Sequence, residues 1–124
     1  MTMENYDYAH GAYSSGLRHG FNELEQKIAC MDPELAYKYA KFVVGADVKY
    51  CQPFACDDPC WAYYFARDVK GADIEYCMKA ACKDPRYAWF FALRIPGADI
   101  EYCKAHMGEW LDDFLQNEMR NALR

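Results

Sequence analysis

The chain contains seven cysteines and three histidines, the residue types that most readily act as nucleophiles, bases or metal ligands. Five of the cysteines lie close enough along the chain to be considered for a zinc site: Cys51, Cys56, Cys60, Cys77 and Cys82. Their spacings include C-x4-C and C-x3-C, whereas structural zinc sites typically use a compact C-x2-C pair. We therefore predict no metal site and no cofactor.

A nucleophilic cysteine paired with a base is the other chemistry to consider. Cys103 and His106 are three residues apart in a predicted helix, so a Cys–His pair can be drawn there. Acidic neighbours such as Asp112 and Asp113 are poor candidates for acid–base catalysis, because sequential residues on a helix do not face each other. The sequence has no glycine-rich phosphate loop and no G-x-S-x-G motif. We predict that the protein is not an enzyme.

A unit of 26 residues recurs three times and accounts for most of the cysteines. Asp-Pro occurs at 32–33, 58–59 and 84–85. Gly-Ala-Asp occurs at 45–47, 71–73 and 97–99. Cysteine recurs with the same period at 51, 77 and 103, where a small buried apolar side chain is its simplest role. A fixed period of this length is typical of solenoids, in which each unit buries its apolar face against its neighbours.

Each unit is predicted to form two short helices. In the second unit, Asp58 is a good N-cap and Pro59 suits the first helical position. Gly71 suits a left-handed C-cap, and Asp73 can cap the second helix. Such short helices are marginal alone and need stacking. We predict an all-α fold: a right-handed α-solenoid of 26-residue two-helix repeats with helical caps.

Two prolines depart from the repeat. Pro53 lies inside the second helix of the first unit, so we expect it to kink that helix or to shift it toward 3₁₀ geometry. Pro96 precedes Gly97, and we expect it to end the first helix of its unit about a turn early.

We predict one domain, 1–124, with a cap at each end. Its parts are 1–31 as N-terminal cap or degenerate repeat, repeats 32–57, 58–83 and 84–109, and 110–124 as C-terminal capping helix. Asn22 can cap a helix over 23–30, while the glycines and serines of 6–20 leave the first helix undecided. The amphipathic C-terminal helix is expected to cover the exposed core of the last unit.

Aromatic residues make up 17% of the chain, and several of them occupy consecutive helical positions. They therefore cannot all face the same core. The favoured interpretation is an exposed ladder of Tyr37, Tyr63 and Trp89, which would anchor a partner. Tyr50, Tyr76 and Tyr102 would form a second ladder on the other helices. The alternative is that the rings simply fill the layers of a thin solenoid.

Charge separates the classes of partner. The net charge is −5. Lys41 and Arg67 occupy equivalent positions of the first two units, but the third unit has Leu93 there. The continuous basic stripe that a nucleic-acid binder would show is therefore absent. Direct nucleic-acid binding is therefore disfavoured. Glu75 and Glu101 space negative charge along the chain and could complement a basic surface on a protein partner. An acidic mimic of nucleic acid remains an alternative.

Two further features of the sequence indicate the cellular compartment. There is no apolar run of 18 residues and no apolar signal-peptide segment, so we expect neither membrane insertion nor secretion. An odd number of cysteines without secretory features favours free thiols in a reducing compartment, the cytoplasm.

The unit D-P-x-x-A-[YW]-x-[YF]-A resembles short two-helix solenoid repeats. It looks most like leucine-rich-variant and HEAT-like families, and like Asp-Pro-x-x-Ala-Tyr-x-Tyr-Ala-Arg repeats of phage and large-virus proteins. The closest matches are 32–41 and 58–67, while 84–93 departs at Trp89 and Leu93. The resemblance implies a curved all-α solenoid with a binding role. It also implies, as a hypothesis, a viral protein that occludes a functional site on a host-defence protein, in the host cytoplasm. A self-assembling homodimer is the alternative.

Overall fold

The computed structural model describes residues 3–123, and over that range it is helical without any strand. The α-helices are α1 Met3–His19, α2 Glu23–Ala29, α3 Pro33–Phe42, α4 Val48–Ala55, α5 Pro59–Asp68, α6 Ile74–Ala81, α7 Pro85–Arg94, α8 Ile100–Ala105 and α9 Leu111–Ala122. A 3₁₀ turn, Gly108–Trp110, lies between α8 and α9. The prediction of an all-α protein is confirmed.

Helices α3, α5 and α7, which we call the first helices, begin at the Asp-Pro pairs. The side chain of Asp58 accepts a hydrogen bond of 2.8 Å from the backbone N–H of Cys60, and the other two aspartates cap in similar ways. Helix α7 ends at Arg94, the position equivalent to the end of α5. The prediction that Pro96 shortens α7 is therefore wrong. The chain already leaves the helical conformation at Ile95 (φ −101°, ψ 114°), so Pro96 lies outside the helix.

Helices α2, α4, α6 and α8, the second helices, begin after a capping side chain. Asp73 accepts from the backbone N–H of Tyr76 at 3.2 Å, and Asn22 accepts from that of Glu25 at 3.0 Å, as predicted for both caps. Gly71 has a φ of +91°, which lets the chain reverse between the two helices of a unit. Helix α4 is α-helical from Val48 to Ala55, so the expected shift toward 3₁₀ geometry at Pro53 is not found.

The packing follows one scheme along the chain. Each first helix packs against the second helix of its own unit, and α1 packs against α2 in the same way. The helices α1, α3, α5 and α7 also pack against one another in succession. The rings of Tyr39, Phe65 and Phe91 are fully buried at equivalent positions of the three units. Their burial makes the core continuous from one unit to the next.

The two ends differ in how well they are covered. Helix α1 spans the glycine- and serine-containing segment, and Gly16 packs so closely on α3 that a Cβ there would lie 2.9 Å from the ring of Tyr39. At the other end, Phe114 of α9 is buried. Leu115 and Met119 of the same helix are exposed, so α9 covers the last unit with only part of its apolar surface.

Candidate protein-binding surface

The first predicted ladder does not lie on the surface. Tyr37 and Tyr63 are 7% and 2% exposed, and Trp89 is half-buried with its indole nitrogen inside the protein. The prediction of an exposed ladder is therefore wrong. The side chains lie between successive first helices, where the ring of Tyr37 meets that of Trp61 at 5.4 Å. The ring of Tyr63 meets that of Tyr87 at 6.1 Å.

The hydroxyl of Tyr37 belongs to a charged network that joins the first two units. It donates a hydrogen bond to the carboxylate of Asp68. Arg67 also binds both oxygens of Asp68, at 2.7 and 2.8 Å, and the Lys41 ammonium lies 3.8 Å away. The hydrogen bond with Arg67 lowers the pKa of Asp68 to about 2, with a further contribution from Tyr37. Burial raises the pKa of Tyr37, and the bond to Asp68 raises it further.

This network is not repeated in the next unit. The position equivalent to Asp68 is Arg94, which cannot accept a hydrogen bond. Within residues 3–123, the buried hydroxyl of Tyr63 has no hydrogen-bond partner. The side chains of the first ladder thus pack between helices. The hydroxyl of Tyr37 is hydrogen-bonded, whereas that of Tyr63 is unpaired among the described residues.

Two buried glutamines were missed by the sequence analysis. The side-chain oxygen of Gln26 accepts from the backbone N–H of Asp47 at 2.8 Å, and that of Gln52 accepts from the backbone N–H of Asp73 at 2.7 Å. Each therefore fixes the start of the next second helix. Their spacing of 26 residues was visible in the sequence and extends the repeat pattern into the segment before residue 32.

The residues considered for catalysis and metal binding do not converge. Cys56 lies beside Cys77, and Cys82 beside Cys103, so these thiols are distributed along the protein in separate pairs. Among the described residues, no group of three or more cysteine, histidine or acidic side chains is placed to hold a metal ion. His106 stacks on the ring of Tyr102 at 4.4 Å, whereas Cys103 is fully buried.

The second ladder is the one that reaches the surface. Tyr50, Tyr76 and Tyr102 stand at equivalent positions of the second helices, and Tyr76 is the most exposed, at 45%. Tyr50 contacts the ring of Phe54 at 5.2 Å, and Tyr102 contacts His106. The position equivalent to Phe54 and His106 is Ala80, so Tyr76 has no ring there to pack against.

Carboxylates flank this ladder. The side chains of Glu75 and Glu101 are 73% and 84% exposed, and each pairs with a lysine on its own helix. The second helices and their capping residues together carry seven acidic and four basic side chains, whereas the first helices and theirs carry five of each. The second helices are therefore net negative, whereas the first helices are neutral.

A cleft lies beside the exposed tyrosine. It has a volume of about 310 Å³; Tyr76, Pro53 and Ala80 supply apolar lining, and Lys79, Lys83 and Asp57 supply charged lining. A neighbouring cleft of about 370 Å³ shares Pro53 and Asp57 with it and extends to Phe54. The two form a shallow groove along the ends of the second helices, with room for one or two side chains of a partner.

Comparison with protein-family models, with curated proteins and with solved structures finds no match to this chain. No helix within residues 3–123 is long and apolar enough to cross a membrane.

Proposed function

We propose that this chain is a non-catalytic protein-binding module, built as a right-handed α-solenoid of 26-residue two-helix repeats. The successive packing of the first helices supports the solenoid, as does the recurrence of the Gln26 and Gln52 contacts at that interval. A stack of this kind presents its second helices side by side as one extended surface. Partner recognition takes place on that surface.

The observation that carries the proposal is the exposure of Tyr76 beside a cleft. Tyrosine is enriched at the centres of protein interfaces because it offers a large rigid ring and a polar tip. Here the ring of Tyr76 is 45% exposed and stands over Pro53 and Ala80, so an apolar side chain of a partner can pack between them. Tyr102, one unit further on, is a second contact on the same side.

The charge of the surface indicates the class of partner. Glu75 and Glu101 project into solvent, each next in sequence to a tyrosine of the second ladder, and favour a partner with a basic surface outside the cleft, whose own lining carries Lys79 and Lys83. Such charges mainly raise the rate of association and orient the partner, because exposed ion pairs add little affinity. The resemblance to phage and large-virus repeats makes host-defence proteins the first class to test, with occlusion of their functional site as the mechanism.

The test compares two tyrosine variants of the tagged chain as baits in lysate from the native host. Tyr76→Ala removes the proposed anchor. Tyr8→Ala removes a tyrosine that is 67% exposed on α1, far along the chain from the groove, and is the matched control. A protein captured by the wild type and by Tyr8→Ala, and lost with Tyr76→Ala, is then purified. Its Kd is expected to rise about 5- to 150-fold for Tyr76→Ala.

Circular dichroism must show that Tyr76→Ala keeps the helical content of the wild type. Glu75→Gln and Glu101→Gln, made as separate single variants, are each expected to weaken binding at low salt. At high salt, where exposed charges are screened, each variant should bind like the wild type. Glu109→Gln, an equal loss of charge away from the groove, should bind like the wild type. The proposal fails if folded Tyr76→Ala captures the same proteins with the same Kd.

Self-association through α9 is the second candidate, because the apolar side of this helix is left uncovered. Leu115, Met119 and Leu123 follow one another at intervals of four residues and are 38%, 66% and 86% exposed. Asp112 lies at the start of α9 and Arg120 at its end. An antiparallel pair of α9 helices from two copies would bury the apolar residues and bring these opposite charges together.

Analytical ultracentrifugation distinguishes the two candidates. If α9 pairs, the wild type sediments as a dimer at micromolar concentration and Met119→Glu as a monomer. A monomeric wild type excludes the α9 dimer and leaves the Tyr76 surface as the site of interaction. A dimer that survives Met119→Glu would show that another surface holds the two copies together.

A further inference from the structure

Six of the seven cysteines form three equivalent pairs inside the protein. The sulfur atoms of Cys56 and Cys77 are 3.6 Å apart, and those of Cys82 and Cys103 are 3.8 Å apart. Cys30 and Cys51 occupy the corresponding positions one unit earlier, and the thiol of Cys51 donates to the side-chain oxygen of Gln26 at 3.6 Å. All six are at most 6% exposed.

The pairs connect the second helices in a line. In each pair, one cysteine is the C-cap of a second helix and the other lies within the following second helix. The three pairs therefore join α2 to α4, α4 to α6 and α6 to α8. A disulfide has a sulfur–sulfur distance of about 2.05 Å, so each pair with a measured separation needs an approach of about 1.6–1.8 Å. The links proposed below require rotation of the two side chains to supply that distance.

We propose that these pairs are sites of oxidative modification, at which a peroxide converts the thiols to the disulfides Cys30–Cys51, Cys56–Cys77 and Cys82–Cys103. The product is a ladder of covalent links along the second helices. This inference concerns the interior of the protein and is independent of the proposed binding function.

The reaction balances with hydrogen peroxide as the oxidant. One thiol loses its proton, and its thiolate attacks a peroxide oxygen, so the sulfur is oxidised to a sulfenic acid and the displaced hydroxide takes up the proton as water. The neighbouring sulfur then attacks the sulfenic sulfur, forms the S–S bond and expels a second water. Two thiols and one hydrogen peroxide become one disulfide and two waters.

The environment makes the reaction slow and specific. The hydrogen bond with Cys56 raises the pKa of Cys77, and burial raises it further, so this thiol stays protonated at neutral pH. Cys56 lines the cleft beside Tyr76, and Cys30 lines the neighbouring cleft, which gives a small oxidant a short path. Because the sulfurs of Cys56 and Cys77, and those of Cys82 and Cys103, already lie side by side, the disulfide is the first product within reach once a sulfenic acid forms.

The experiment treats the intact chain with hydrogen peroxide, alkylates the remaining thiols in denaturant, and maps disulfides by mass spectrometry of a non-reduced digest. We expect the three named links and no disulfide to Cys60, which lies outside the pairs. The thermal midpoint should rise by about 10 °C or more, since each link closes a loop of the unfolded chain. Dithiothreitol should return it to the starting value.

Two variants test the specificity of the links. Cys60→Ser should give the same three disulfides. Cys77→Ala should lose only the disulfide between positions 56 and 77. Cys56 is then recovered as the alkylated thiol, and the other two disulfides still form. Mixed pairings, links between molecules, or sulfinic acids without disulfides in the wild type would each overturn the proposal.

Discussion

Replacing Tyr37 and Tyr63 by phenylalanine, one at a time, removes the same hydroxyl from equivalent positions of two successive units. The two rings are 7% and 2% exposed, so their apolar contributions to stability are closely matched. The hydroxyls differ, because that of Tyr37 donates to Asp68 and that of Tyr63 is buried without a partner among the described residues. The difference between the variants isolates the hydrogen bonds of the Tyr37 hydroxyl, which donates to Asp68 and accepts from the Lys41 ammonium at 3.3 Å.

The expected magnitudes follow from that contrast. Tyr37→Phe should lower the free energy of unfolding by about 1.5–3 kcal/mol, the net contribution of a hydrogen bond to a charged group. The lower half of that range is expected, because Arg67 still holds both oxygens of Asp68, at 2.7 and 2.8 Å. Tyr63→Phe should change it by less than about 0.5 kcal/mol or raise it, because the buried hydroxyl is desolvated without compensation.

Urea denaturation followed by circular dichroism measures both variants, and its pH dependence gives a second check. The folded-state pKa of Asp68, about 2, lies below its unfolded value, so its ion-pair contribution is present above about pH 4 and is lost as the pH falls toward 2. The cost of Tyr37→Phe should therefore shrink over that interval, while the effect of Tyr63→Phe stays constant. Equal costs for the two variants, or a cost of Tyr37→Phe that does not change with pH, would refute the reasoning.

Three further predictions concern positions where the units differ. Arg94→Asp places a carboxylate where Tyr63 can donate to it, and should raise the free energy of unfolding by about 1 kcal/mol; in Tyr63→Phe the same change should give no gain. Gln52→Met copies the residue of the next unit and leaves a backbone N–H at the start of α6 unpaired, so urea denaturation should show a loss of about 1–3 kcal/mol. Gly71→Ala forces a side chain onto a φ of +91° and should cost about 1–2 kcal/mol, whereas Gly11→Ala, inside α1 with open space around it, should add about 0.5–1 kcal/mol. A thermal melt that ranks the two glycine variants the other way would contradict this.

The positions where helices begin were predictable because they depend on neighbours in sequence. Asp58 bonds to a backbone N–H two residues away, and Asp73 to one three residues away, so the residues themselves carry the signal. The same holds for the turn at Gly71, where only glycine adopts the required backbone angle without strain. Pro96 was misjudged because all three first helices end before this position: Val43 and Val69, the equivalents of Ile95, are also extended, so the proline shortens nothing.

The exposure of the aromatic rings was not predictable in the same way. Tyr63 and Tyr76 both lie at repeated aromatic positions, yet one is 2% and the other 45% exposed. Each short helix carries rings on several sides, and the sequence alone does not say which sides the neighbouring helices cover. The tertiary structure decides this by placing the next first helix over Tyr63 and only an alanine beside Tyr76.

The sequence by itself therefore determined the helical units, their caps and the places where they begin. Only the tertiary structure decided which side chains are buried, which form hydrogen bonds with another unit and which lie on the surface. The physical reason is the distance along the chain over which each interaction acts. A cap acts across two or three residues, whereas the bond from Tyr37 to Asp68 spans 31 residues and the contact of Cys56 with Cys77 spans 21. Contacts of that range exist only after the units have stacked, and they place Tyr76 on the surface and the thiols side by side.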